Sequence, residues 1–329
     1  MDPIRSRIEG WRCSFAFACW YSQASNAPIK AVVGIRRDGE TMPAPRFLVI
    51  EGNTAEGRAR HQAAGGTVAS QGFANLLREL LPGAIVDIAY PADAGANLPD
   101  RMGLEGYDGV TITGSALHVY EGGPEVQRQV DLVRTVLDTG TPAFGSCWGL
   151  QVLMTAAGGS VRRNPKGREI GFGRAIRLTG AGREHPMYAG KGDSFDTVSI
   201  HLDEVETLAP DTTVLALNSM AGVQAAEIRR NGMVAWGVQY HPEYSLQELA
   251  AIVRRTGVKL VEEGFFAAEA DLSQYAHELM TLHREPANKP LAWRHGVDRG
   301  VLDRGLRVKE VANWIERMVQ PTRAKRGRG

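Results

Sequence analysis

A mostly parallel α/β sheet with helices on both faces is the fold class this sequence predicts, and three observations predict it. Over residues 47–157, short β-favouring apolar runs alternate with amphipathic helical ones. Over residues 172–241 the pattern turns strand-rich, which adds further β structure. Between a strand and a helix sits a glycine-flanked cysteine turn, Gly145-Ser146-Cys147-Trp148-Gly149. Sites in such sheets form beyond the carboxyl ends of the strands.

Each element follows from local pattern. Residues 47–51 read as a strand. Residues 68–81 read as a helix with Phe73, Leu76, Leu77 and Leu80 on one face, stopped by Pro82-Gly83. Residues 84–90 and 109–113 are strands. Residues 125–137 form a helix carrying Val130, Leu132, Val133 and Val136. Residues 141–146 are a short buried strand, and 148–157 a helix with Leu150, Val152, Leu153 and Ala157. The apolar run 233–240 is a strand that Pro242 ends, because proline has no N–H to donate.

The main domain is expected over residues 42–263. Residues 264–329 are expected to be a helical extension, with helices at 272–282 and 306–319. Val308, Val311, Ala312, Ile315 and Val319 share one face of the second. Packing on the core is expected, a homodimer or partner contact being the alternative. The basic ending, Arg323 to Gly329, reads as a solvated disordered tail. Residues 1–41 read as a poorly ordered extension. The alternative there is a secretory signal, with Arg5, Arg7 and Arg12 ahead of a short apolar stretch.

Composition narrows the function classes. A net charge of +1 supplies no basic field, so nucleic acid is not an expected partner. Cys13, Cys19 and Cys147 are too few for a disulfide framework and fit a reducing, cytoplasmic setting. No histidine shows a paired ligand spacing, so no metal is expected, and no apolar run is long enough for a membrane span. No G-x-x-x-x-G-K-[ST] loop is present, and no cofactor is expected.

The chemistry lies in two segments. A thiol on a tight strand-to-helix turn is held exposed, and the following helix N-terminus favours the thiolate. Gly145 and Gly149 flank Cys147 where a Cβ would crowd the turn. Further on, Tyr240-His241-Pro242-Glu243 places an imidazole at a strand end with a carboxylate two residues later. Such a carboxylate fixes the ring tautomer, leaving the other nitrogen to take the thiol proton and return it to a leaving amine. His118 and His185 read as structural or exposed, and Glu169 as a local ion-pair partner.

Gly145-Ser146-Cys147-Trp148-Gly149-Leu150-Gln151 with Tyr240-His241-Pro242-Glu243 resembles the class I, triad-type glutamine amidotransferases, in particular the stand-alone branch similar to the amidotransferase domain of GMP synthase. The likeness runs over residues 46–258, and residues 164–171, Asn-Pro-Lys-Gly-Arg-Glu-Ile-Gly, look like a further signature of that branch. The resemblance implies a flavodoxin-like sheet and a γ-glutamyl thioester. It implies Cys147 as nucleophile, His241 as base and acid, Glu243 as orienter, and Gln151 lining the substrate pocket. It also implies an oxyanion hole from the N–H groups of Gly114 or Ser115 and of Trp148, although many relatives have a Gly-Gly-Pro-Gly-like loop where this chain has Gly114-Ser115-Ala116-Leu117. Ser199, His201 and Asp203 match the segment that holds the substrate's α-amino and α-carboxylate groups. The expected activity is hydrolysis of glutamine or a γ-glutamyl amide. The alternatives are a glutaminase subunit feeding ammonia to a separate synthetase, and a non-catalytic scaffold.

Overall fold

The computed structural model describes residues 43–328; the expectations for residues 1–41 lie outside them. In chain order the elements are β1 (Arg46–Ile50), α1 (Ala55–Ala63), α2 (Ala69–Leu80), β2 (Ile85–Ala89), α3 (Arg101–Glu105), β3 (Gly109–Ile112), α4 (Pro124–Leu137), β4 (Ala143–Ser146) and α5 (Trp148–Ala156). There follow β5 (Ser160–Arg163), β6 (Glu169–Leu178), α6 (Gly180–Glu184), β7 (Ser194–His201), β8 (Asp203–Thr207), β9 (Thr212–Leu217), β10 (Ala225–Arg230) and β11 (Met233–Val238). The remainder is helical: α7 (Leu246–Glu262), α8 (Glu269–Arg284), α9 (Lys289–Arg294), α10 (Arg299–Leu302), α11 (Arg304–Arg307), α12 (Lys309–Trp314) and α13 (Gln320–Lys325).

Nine strands form one sheet in the order β2-β1-β3-β4-β11-β10-β9-β6-β7. From β2 to β11 the neighbours run parallel; from β11 to β7 they run antiparallel. The helical crossovers between the early strands dictate the first half, since parallel neighbours need long connections. The short turns after β9 and β10 give the second. β5 and β8 form a separate antiparallel ribbon.

Strand periodicity divides the core. Leu48 and Ile50 of β1 face one layer with Val133 of α4 and Leu150 and Leu153 of α5. Phe47 and Val49 face the other, with Phe73 and Leu77 of α2 and Phe144 of β4. Val308, Val311, Ile315 and Val319 complete that second layer from the C-terminal helices. The sequence reading does not single out Trp314, yet it is fully buried, its ring 6.0 Å from both Phe47 and Phe144. The C-terminal segment from Val308 to Val319 therefore belongs to the same hydrophobic core as the sheet. A third cluster joins α7 and α8 to Phe172 of β6 and Val198 of β7.

The basic ending differs from its expectation. Gln320–Lys325 is helical, and Arg323 Nε donates to the buried carboxylate of Asp108 at 3.0 Å. Arg326 donates to the Tyr107 carbonyl at 3.0 Å, and Arg328 to the Glu105 carbonyl at 3.0 Å. A buried carboxylate needs charged or N–H partners. Asp108 obtains them from Arg323 and Arg328 and from the Arg46 N–H at 2.9 Å, which no local pattern reveals. Among the described residues no helix is long and apolar enough to cross a membrane.

Candidate active site

Two adjacent parallel strands deliver the candidate thiol and imidazole. β4 and β11 are in register to their last residues, Ser146 opposite Val238. Cys147 follows the first and its N–H donates to the Val238 carbonyl at 2.7 Å. His241 follows the second by three residues, and its N–H donates to the Val198 carbonyl of β7 at 2.9 Å. β7 is four places from β11 in the sheet, so the sheet's far edge returns to the same end.

The turn at Cys147 is strained. Its φ of 54° and ψ of −102° are sparsely populated for a residue with a Cβ. The turn closes because its flanks are glycines: a Cβ on Gly149 would lie 2.4 Å from the Ile112 carbonyl oxygen, and one on Gly145 would lie 2.4 Å from the Gly149 carbonyl carbon. Cys147 is the N-cap of α5, and its Sγ lies 3.5 Å from the Ile200 carbonyl oxygen.

His241 Nδ1 donates to Glu243 Oε1 at 2.8 Å, leaving Nε2 for the thiol. Burial opposes protonation of this ring, but the Glu243 charge, with the thiol as hydrogen-bonding partner, outweighs it and pushes His241 up to about 10. Tyr244 stacks on the ring at 4.0 Å between centroids and 4° between planes. Gly114 also packs close to the ring: a Cβ there would come within 2.6 Å of the His241 ring carbon Cε1.

A cavity of about 610 Å³ opens over these groups, lined by Cys147, His241, Gln151, Gly114, Ser115 and His201 among others. Gln151 Nε2 donates to Gln239 Oε1 at 3.2 Å. The Gly114, Ser115 and Trp148 N–H groups meet no acceptor among the described residues, whereas the Trp148 ring is buried and its Nε1 donates to Gln129 at 2.8 Å. Among the described residues no His, Cys, Asp or Glu group is arranged to hold a metal ion.

Of the expected substrate residues on the Ser199 to Asp203 segment, His201 and Asp203 line the cavity and Ser199 does not. The Ser199 hydroxyl donates to Glu169 at 3.1 Å. His201 Nε2 donates to the same carboxylate at 2.8 Å, while its Nδ1 lies 2.9 Å from the Asp203 carbonyl oxygen. Asn218 and Gln224 complete the set at 2.7 and 2.9 Å. Glu169 is thus no local ion-pair partner but the centre of a buried network. Burial alone would raise its pKa, but these donors outweigh that and hold it below the usual carboxylate range. Asp203 reaches the cavity, where it binds His118 at 2.6 Å and the Tyr120 hydroxyl at 3.0 Å. Missed in the sequence were Tyr244 and the cationic residues of α7; the only available signal for Tyr244 was its place directly after the His-Pro-Glu run.

A family model described as glutamine amidotransferase class-I matches residues 74–260, more than half of the chain. The chain belongs to that family. It is 35% identical over 84% of its length to a γ-glutamyl-L-1-hydroxyisopropylamide hydrolase of a Pseudomonas species, covering 94% of that protein. It is also 34% identical to a glutamine-hydrolyzing GMP synthase component of Methanoculleus marisnigri, over 39% of this chain and 65% of that one. Among solved structures, a glutamine amidotransferase from Thermotoga maritima superposes with a TM-score of 0.59 at 20% identity, over 84% of this chain and 99% of the other. That likeness carries the fold.

Proposed function

We propose that this chain hydrolyses the side-chain amide of glutamine or of a γ-glutamyl amide through a thioester on Cys147. The observation that carries the reading is the convergence of Sγ, imidazole and carboxylate at the ends of two neighbouring strands, over an accessible cavity. In this reading the ring bears the proton and sulfur attacks as the thiolate. Sγ bonds to the γ-carbonyl carbon, and the carbonyl electrons move onto oxygen. The N–H groups of Trp148 and of Gly114 or Ser115 receive that charge, each contributing on the order of a hundredfold; their lack of protein acceptors supports the assignment. His241 gives its proton to the amide nitrogen and the C–N bond breaks. Water then attacks the thioester, His241 takes its proton, and glutamate leaves as the thiolate re-forms. Glu243 holds the imidazolium throughout. Gln151 and the backbone at the end of β7 flank the acyl group. A reducing, cytoplasmic setting suits the free thiol.

The test is a panel of γ-glutamyl amides and glutamine with wild type and Cys147→Ala, alongside labelling by a glutamine-mimicking electrophile. Amine release and labelling should both require Cys147. Wild-type protein that releases no amine from any of them, with or without a candidate synthetase, would refute the reading. The kinship to a GMP synthase component favours one second reading, ammonia delivery to a separate synthetase; a rate that appears only with that partner would select it.

A further inference from the structure

One wall of the cavity is cationic, and nearby carboxylates offset its charge only in part. Ile252, Arg255, Thr256 and Lys259 lie at helical spacing on one face of α7, and all line the cavity. Arg60, in the last turn of α1, lines it too. The two helices are tied by His61 and Glu248 at 3.1 Å. Nearby Arg168 is neutralised by Glu263 at 2.7 Å, and Asp203 is engaged by His118 and Tyr120. Arg60, Arg255 and Lys259 make no side-chain hydrogen bond or ion pair among the described residues; Glu262, on the last turn of α7, is the wall's remaining carboxylate. Arg255 is half-buried, and burial first, then Arg60, depress its guanidinium. Like charges four residues apart on a helix repel, as Arg255 and Lys259 do. A ligand that supplies the missing charge would relieve this.

The side of the site is set by chemistry. The general acid lies where the leaving amine departs. Arg255 lines the cavity together with Tyr244, which stacks on His241. Gln151 and the end of β7 lie on the acyl side in the reading above.

We propose that Arg255, supported by Arg60 and Lys259, binds an anionic group borne by the leaving amine, so that preferred substrates are γ-glutamyl conjugates whose amine carries a carboxylate. This rests on the hydrolase reading and narrows it. The hydroxyisopropylamide named for the Pseudomonas relative carries no such charge.

The experiment compares γ-glutamylglycine with γ-glutamylglycinamide, which differ only in the carboxylate. Wild-type kcat/KM should favour the acid at least tenfold, mainly through KM, and the preference should shrink with added salt. Arg255→Gln should bring the ratio near one, and the exposed Arg60→Gln should reduce it severalfold should Arg255→Gln not fold. Arg254→Gln, one residue away and outside the cavity, should leave the ratio intact. A wild-type ratio near one, or a ratio that persists in both Arg255→Gln and Arg60→Gln, would overturn the proposal while leaving the hydrolase reading standing. If neither compound is hydrolysed, the wider panel of glutamine and γ-glutamyl amides still decides the enzyme reading. Equilibrium binding of the same two compounds to Cys147→Ala protein then decides the subsite: tenfold tighter acid supports it, and equal binding rejects it.

Discussion

The backbone at Cys147 holds a conformation that costs an ordinary residue on the order of 1–3 kcal/mol, a cost the proposed role of its side chain explains. Two inactive variants separate these effects. Cys147→Gly should be more stable than Cys147→Ala by about 1 kcal/mol, since glycine accepts the positive φ; urea denaturation of both measures the difference. His241 gives a second expectation. Its pKa is raised to about 10, so the ring keeps its proton at neutral pH and loses it as pH rises through about 10. If amine protonation limits the rate, kcat should hold into the alkaline range and fall near that value. Glu243→Gln removes the charge that raises the pKa, so the alkaline limb should move to lower pH and kcat should drop by roughly 10²–10⁴. A pH–rate profile of both proteins checks this.

At the scale of elements, legibility tracked locality. The alternation that named β1, α2, β2, β3, α4, β4 and α5 is written in neighbouring residues, and their observed boundaries fall within about three residues of those expected, whereas the short α1 and α3 were not expected. Cys147, His241 and Glu243 were legible because each sits in a short motif whose composition states its chemistry. The Glu169 network was not. Its other members come from β7 and the loop between β9 and β10, 30 to 55 residues from Glu169 on β6, and only the folded sheet gathers them. The network has a pH signature. Glu169's pKa is lowered on folding, so its contribution is present above the ordinary carboxylate range and lost as pH falls through the folded value. Acid unfolding should therefore be steeper in wild type than in Glu169→Gln. The variant should already be destabilised at neutral pH by about 3 kcal/mol, the loss expected from an uncompensated buried partner; denaturation at pH 7 and pH 4 measures both.

For the molecule as a whole, the C-terminal helices are structural members of the domain. Trp314 lies between Phe47 and Phe144 under the sheet. The buried carboxylate of Glu310 accepts from the Tyr240 hydroxyl at 2.7 Å and pairs with Lys191. Trp314→Ala should cost about 3–5 kcal/mol as a core cavity, read by the denaturation midpoint. A chain ending at residue 303 should fail to give a soluble folded protein, rather than yield a trimmed active one. The sequence face of Val308, Val311, Ile315 and Val319 made this docking readable. The arginines beyond it did not, because their acceptors lie about 185 to 280 positions away along the chain.

Strand adjacency between β4 and β11 has an evolutionary consequence. The proposed nucleophile and proton carrier are addressed to each other by one ladder of main-chain bonds, not by the long excursion that separates them along the chain. Lineages can therefore rebuild most of that excursion, trading one amine pocket for another, while the reactive couple keeps its alignment.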